Sequence, residues 1–189
     1  MPNQRSPRLL RASLACLFAA LCCAGAYISI PIPGSPVPVV IQNLFAVLAG
    51  LLLGPAWGGL SVILFIFVGC LGFPVFSGGK AGIAVLAGPT GGYLAGYLVA
   101  AALAGLIARR RGKALPILGT VVAFTAILAV GVVRLKLLKN VDWGKALSIG
   151  VVPFLPGDAI KASLTAILAI RLGPFVDSLL AAPKANDAA

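Results

Sequence analysis

The sequence predicts an all-α, polytopic integral membrane protein: a bundle of six transmembrane helices with a re-entrant, proline-rich loop between helices 1 and 2. Three observations carry this. Of 189 residues, 60% are hydrophobic and 10% charged, against roughly a quarter charged in a soluble domain. A soluble chain this small exposes too much surface for so few polar side chains to cover. Apolar runs also recur at lengths near the roughly 20 residues that cross hydrocarbon. The third observation is the net charge of +11, which in an apolar chain marks cytoplasmic loops. Aromatic residues do not interleave with those charges as they do on a nucleic-acid surface, so the expected surroundings are membrane lipid, with no nucleic acid.

The first apolar run, residues 12–30, follows Arg5, Arg8 and Arg11 and imitates a signal peptide. Its length and the equally apolar chain after it favour an uncleaved helix. Four prolines lie between Pro31 and Pro38, and each removes a helical N–H donor. Apolar yet non-helical backbone is tolerated at membrane depth only under cover of protein or a cavity, which points to a loop capping a pocket. The second run, residues 39–53, is separated from the third, residues 56–71, by Gly54-Pro55, a tight turn. Residues 72–82 are glycine-rich and irregular. The fourth helix covers 88–108, with Pro89 in its first turn. Along it Gly88, Gly92, Gly96, Ala100 and Ala104 form a small-residue stripe suited to close helix packing. The fifth helix covers 115–138 and the sixth 156–172. The chain then divides into a basic cytoplasmic N-terminus (1–11), a six-helix membrane domain (12–175) and a polar C-terminal tail (176–189).

Orientation follows from the cations. With both termini in the cytoplasm, Arg5, Arg8, Arg11, Arg109, Arg110, Arg111, Lys113, Arg171 and Lys184 lie inside, and Lys80, Arg134, Lys136, Lys139 and Lys145 outside. The excess favours that arrangement in the cytoplasmic membrane, although the group from Arg134 to Lys145 runs against it.

Chemistry is narrowly bounded. The chain has no His, which removes the commonest general base and metal ligand. Cys16, Cys22, Cys23 and Cys70 sit in apolar runs without metal or redox spacing and read as small hydrophobic filler. Gly78-Gly79-Lys80-Ala81 lacks the upstream Gly and the Ser or Thr of a phosphate loop. The acids are Asp142, Asp158, Asp177 and Asp187. Asp158 and Lys161 share a face at i and i+3 at the start of the sixth helix. Ionised side chains within a membrane helix mark ligand or ion pathways. Together they offer an acceptor beside a cationic donor, a match for a cyclic urea or amide. The alternative is a structural ion pair, with Asp158 capping its own helix.

The ordered motifs Pro31-Ile-Pro-Gly-Ser-Pro-Val-Pro38, Gln42, Leu48-Ala-Gly-Leu-Leu-Leu-Gly-Pro55 and Gly72-Phe-Pro-Val-Phe-Ser-Gly-Gly79 resemble the BioY family. Gly88-Pro-Thr-Gly-Gly-Tyr93 and Pro153-Phe-Leu-Pro-Gly-Asp-Ala-Ile-Lys161 complete the pattern. These are the biotin-binding S components of energy-coupling-factor (ECF) transporters. The resemblance implies a biotin pocket near the outer face, capped by the first loop. Asp158 and Lys161 would meet the ureido ring, with Gln42, Gly79, Gly91 and Tyr93 in the substrate site. Lys80 stands where relatives often have Gly or Asn, and Leu94 where some have Arg, so Lys80 is the expected cation for the carboxylate tail. Ala15 and Ala19 resemble the stripe that docks on the coupling subunit. The implied activity is biotin uptake energised by an ECF coupling subunit and two ATPase subunits. Biotin is the substrate and no cofactor or catalysis is expected. Rival readings are an S component for another vitamin and an intramembrane aspartyl protease, which would need Asp142 as a second catalytic acid.

Overall fold

The structure, a computed structural model, describes residues 7–108 and 114–181. The cationic knot from Arg109 to Lys113, together with Arg5 and Lys184, lies outside the described residues. Among the described residues seven α-helices occur in the order α1 (Pro7–Gly25), α2 (Gln42–Cys70), α3 (Ala84–Ala87), α4 (Gly91–Ala108), α5 (Leu115–Lys139), α6 (Trp143–Gly150) and α7 (Leu155–Leu180), with a short 3-10 turn at Val152–Phe154 between the last two. Strands β1 (Ser29–Ile30) and β2 (Val39–Val40) pair antiparallel between α1 and α2, Ser29 opposite Val40.

Among the described residues five helical stretches are long and apolar enough to cross a membrane, counting α2 once and Trp143–Leu180, which joins α6 to α7, once. But α2 is not one rod. Gly54 adopts φ 81° and ψ 174°, outside helical geometry, and Pro55 follows. A Cβ placed on Gly58 would run into the backbone of Gly50 and Ala49, a contact that residues eight apart in a straight helix cannot make. The chain therefore folds back at Gly54, which is the turn expected there, and six apolar segments result. The ends of the first loop are pinned by the short hairpin of β1 and β2.

Lipid offers no hydrophobic advantage to helix association, so close packing carries it, and small residues permit that closeness. Gly50 sits on the Ala101 backbone, Gly105 on Gly54 and Pro55, and Gly96 on Ile127. The stripe on α4 thus packs against α5 through Gly92 and Gly96, while the neighbouring Ala101 and Gly105 meet α2. Ala15, Ala19 and Cys22 of α1 are buried in the same core.

Several boundaries differ from expectation. Helix α1 begins at Pro7 and ends at Gly25, and Ser29–Ile30 leaves it to pair as β1. Residues 39 and 40, assigned to the second helix, form β2 instead. Pro89 precedes α4 rather than opening it, and α3 occupies the end of the glycine-rich loop. Helix α6 was not expected in the polar stretch after Asn140. Asp142 starts it by accepting from the Lys145 N–H at 3.0 Å, and that bond holds its carboxyl below the ordinary range. Helix α7 continues through Pro174 to Leu180, five residues into the stretch assigned to the tail.

These contacts predict opposite outcomes for adjacent glycines. Gly58→Ala should lower thermal stability in detergent by the 1–3 kcal/mol typical of overpacking, roughly. Gly59→Ala, whose Cβ would rest at an ordinary 3.6 Å from Leu98, should change it little. Equal melting temperatures for the two variants would contradict the fold-back.

Candidate substrate-binding site

The first turn of α7 brings Asp158 and Lys161 to one face, and the structure joins them. Lys161 Nζ lies 2.7 Å from Asp158 Oδ1, with both side chains about nine-tenths buried. Desolvated charges cost several kcal/mol each unless paired and hydrogen-bonded, by order of magnitude, and a third residue completes the set. Asn43, in the first turn of α2, donates from Nδ2 to Asp158 Oδ1 at 3.0 Å and accepts at Oδ1 from Lys161 Nζ at 2.9 Å. Lys161 also donates to the Val40 carbonyl at 3.0 Å. All three ammonium protons are thereby engaged. Asp158 Oδ1 takes two donors while Oδ2 takes none, leaving a carboxylate oxygen for another N–H. Asp158 does not cap α7, whose N-terminus has no side-chain cap.

This triad lies on the wall of an inner cavity completed by Val37, Ser77, Tyr93, Leu94, Tyr97 and Phe154. The cavity's volume is only about 20 Å3, room for about one water molecule. A bicyclic guest therefore needs the walls to part. One wall is Val37, Pro38 and Val40 from the first loop, so that loop borders the cavity as its composition suggested. Beyond Pro38 and Ser77, which line both spaces, an open vestibule of about 650 Å3 is lined by Tyr27, Ser29, Gly79 and Lys80 among others.

The expected site residues distribute unevenly over this geometry. Lys80 is exposed and belongs to the vestibule, at the end of a loop closed by paired backbone bonds between Phe76 and Lys80. Gly78 and Gly79 hold that loop with φ 73° and 74°, a conformation costly for other residues. Tyr93 presents its ring to the cavity, but its hydroxyl donates to the Gly150 carbonyl at 2.6 Å. Gly91 is off the cavity wall, pressed against the Leu86 carbonyl.

Gln42 is fully buried and also off the wall. Its Nε2 donates to the Cys22 and Val75 carbonyls at 3.0 and 2.9 Å, and its Oε1 accepts from Ser77 Oγ at 3.4 Å. It braces α1 and the glycine loop and aims Ser77. Asn43 was missed because a single Asn at a helix start reads as a cap, and nothing local shows that α7 packs opposite.

Ala15, at 0% exposed, and Ala19, at 7%, expected to dock on a coupling subunit, pack inward into the core of this chain. Small residues exposed on α1 include Ser13, Cys16, Ala20 and Ala24, the last three one residue along from the Ala15–Ala19 spacing. Among the described residues no group of His, Cys or acidic side chains could hold a metal, and Asp142 is an exposed cap rather than a partner for Asp158.

A buried ion pair beside a cavity in a helical membrane bundle is the architecture of a solute-binding membrane protein. The BioY family model matches residues 3–178. Relatives include a probable biotin transporter BioY of Pyrococcus horikoshii, 42% identical over 160 residues, 85% of this chain and 94% of that protein. The biotin transporter BioY of Thermotoga maritima is 41% identical over 157 residues, 82% of this chain and 91% of its own. A crystal structure of the S-component for biotin from an ECF-type ABC transporter superposes with TM-score 0.81 at 30% identity, covering 91% of this chain and 94% of that one. The chain belongs to the BioY family, and it is a membrane transporter rather than an enzyme.

Removing one member of the triad strands a buried charge. Lys161→Met should destabilise the purified protein by roughly 3–5 kcal/mol, while Lys161→Met with Asp158→Asn should recover most of that loss in thermal unfolding. A double variant as unstable as the single one would contradict the pairing.

Proposed function

We propose that this chain binds biotin in the Asp158–Lys161–Asn43 cavity and is the substrate-recognition subunit of a biotin uptake system in the cytoplasmic membrane. The observation that carries the reading is the buried triad with one free carboxylate oxygen. A cyclic urea presents N–H beside C=O. Its N–H fits Asp158 Oδ2, and its carbonyl fits Lys161 Nζ and the second Asn43 Nδ2 proton. Because Lys161 is saturated by the protein alone, the guest carbonyl must displace Val40. That exchange loosens the loop bordering the cavity at the moment the ring enters, which accounts for a cavity too narrow for the guest.

The fused ring then lies among Tyr93, Tyr97 and Phe154, and the carboxylate tail extends past Ser77 to Lys80 in the vestibule. Both termini are cytoplasmic in this reading, with the cavity outward. Energy comes from partners, an ECF coupling subunit and two ATPase subunits, as the chain carries no phosphate loop. Partner docking belongs to the exposed face of α1 at Cys16, Ala20 and Ala24, where small residues allow close approach.

Equilibrium binding of labelled biotin to the detergent-purified chain should detect a saturable site. Asp158→Asn and Asn43→Ala should each weaken it about tenfold or more, as for a hydrogen bond to a charged group. Wild-type protein that ignored biotin and bound another vitamin would sink the assignment. Lys80→Ala should weaken biotin more than a carboxyl-amidated analogue; equal losses would remove Lys80 from the tail's site. Ala20→Trp should abolish co-purification with the coupling subunit while sparing biotin binding, and retained co-purification would exclude the α1 face.

A further inference from the structure

Arg134 is a cation that neither the fold nor the substrate site explains. It lies in the C-terminal part of α5, two residues before Lys136 and five before Lys139, with its aliphatic stem against Gly92 of α4. One guanidinium N–H donates to the Ala87 carbonyl at 3.0 Å, and the side chain is exposed. No carboxylate pairs with it among the described residues, where the ion pair formed is that of Lys161 with Asp158. An ionised group beside a lipid-facing helix surface is costly without a counter-charge.

Arg134 stands at the rim of a groove of about 630 Å3 between α4 and α5. Gly91, Gly92 and Ala95 form its floor, and Val133 and Leu137 one bank. Leu137 is 68% and Val133 44% exposed. Arg134 is the charged residue on this lining, and no Asp joins it. Lys136 points elsewhere, over the Trp143 ring at 5.0 Å, and Asp142 is committed to capping α6. A concave apolar channel running from an unneutralised guanidinium has the shape and charge of a binding site for a chain with an anionic head.

We propose that this groove holds an anionic phospholipid, with an acyl chain between α4 and α5 and the phosphate on the guanidinium of Arg134. The Ala87 carbonyl fixes one edge of the guanidinium and leaves its other N–H groups for phosphate oxygens, which suit the planar fork. The same contact accounts for a cation that weakens the charge asymmetry of the loops: it is a lipid ligand rather than an orientation signal. The site is separate from the biotin cavity, on the opposite side of α4 from Tyr93 and Tyr97.

The test is native mass spectrometry of the full chain released from detergent containing phosphatidylglycerol or phosphatidylcholine with identical acyl chains. Wild type should prefer phosphatidylglycerol about fivefold, the worth of one interfacial cation. Arg134→Gln should erase that preference, and Arg134→Lys should keep part of it. Ala95→Phe, which fills the floor and leaves the charge, should reduce retention of both lipids. Biotin binding should be unchanged in every variant, which separates loss of the lipid from loss of the fold. Equal retention of the two lipids by wild type, or a preference that survives Arg134→Gln, would overturn the proposal.

Discussion

Two opposite charges buried in an apolar bundle constrain everything around them. Asp158 and Lys161 are tolerable where they are because they touch each other and because Asn43 and the Val40 carbonyl complete their hydrogen bonds. The pair itself sits on one helix, but its satisfaction does not: Asn43 belongs to α2 and Val40 to the strand that closes the first loop. The ion pair therefore fixes the relative placement of α2, α7 and that loop, and the cavity is what remains between them. A pair of this kind contributes little net stability compared with a packed apolar core.

The rest of the bundle serves that placement. Gly54 reverses α2 so that Asn43 and Gln42 at its start lie beside the residue 69–80 region at its end. Gly69 leaves room for the Phe76 ring, which stacks edge-on against Phe65 with centroids 5.7 Å apart. Phe76 anchors the glycine loop that carries Ser77 into the cavity and Lys80 into the vestibule. Gln42 ties the same loop to the end of α1. Two adjacent polar residues at the head of α2 thus divide the work. Gln42 positions the loop through bonds to main chain, and Asn43 completes the charged triad.

Much of this was legible in the sequence because its signals are local. Runs of apolar residues gave the spans, Gly54-Pro55 gave the reversal, and the i, i+3 spacing of Asp158 and Lys161 put them on one face. What was not legible depends on which elements meet. Nothing near Asn43 announces that α7 lies opposite, and Gln42 reads as a ligand contact until its two carbonyl partners, 20 and 33 residues away, are seen. The direction in which the α1 stripe looks was hidden for a related reason. Spacing of four identifies a small-residue face at Ala15 and Ala19 but not whether it looks inward, and Cys16, Ala20 and Ala24 have the same spacing one residue along. Helix α6 was hidden in polar sequence because Asp142 supplies its start, and caps are weak signals without the helix they begin.

The central claim is that a urea-shaped ring exchanges places with the Val40 carbonyl on Lys161. A structure of the chain with biotin bound tests it most directly. The account predicts a ureido nitrogen within about 3 Å of Asp158 Oδ2, as a charge-assisted bond requires, and Val40 parted from Lys161. A bound ring lying away from α7, with the Lys161–Val40 contact intact, would contradict it.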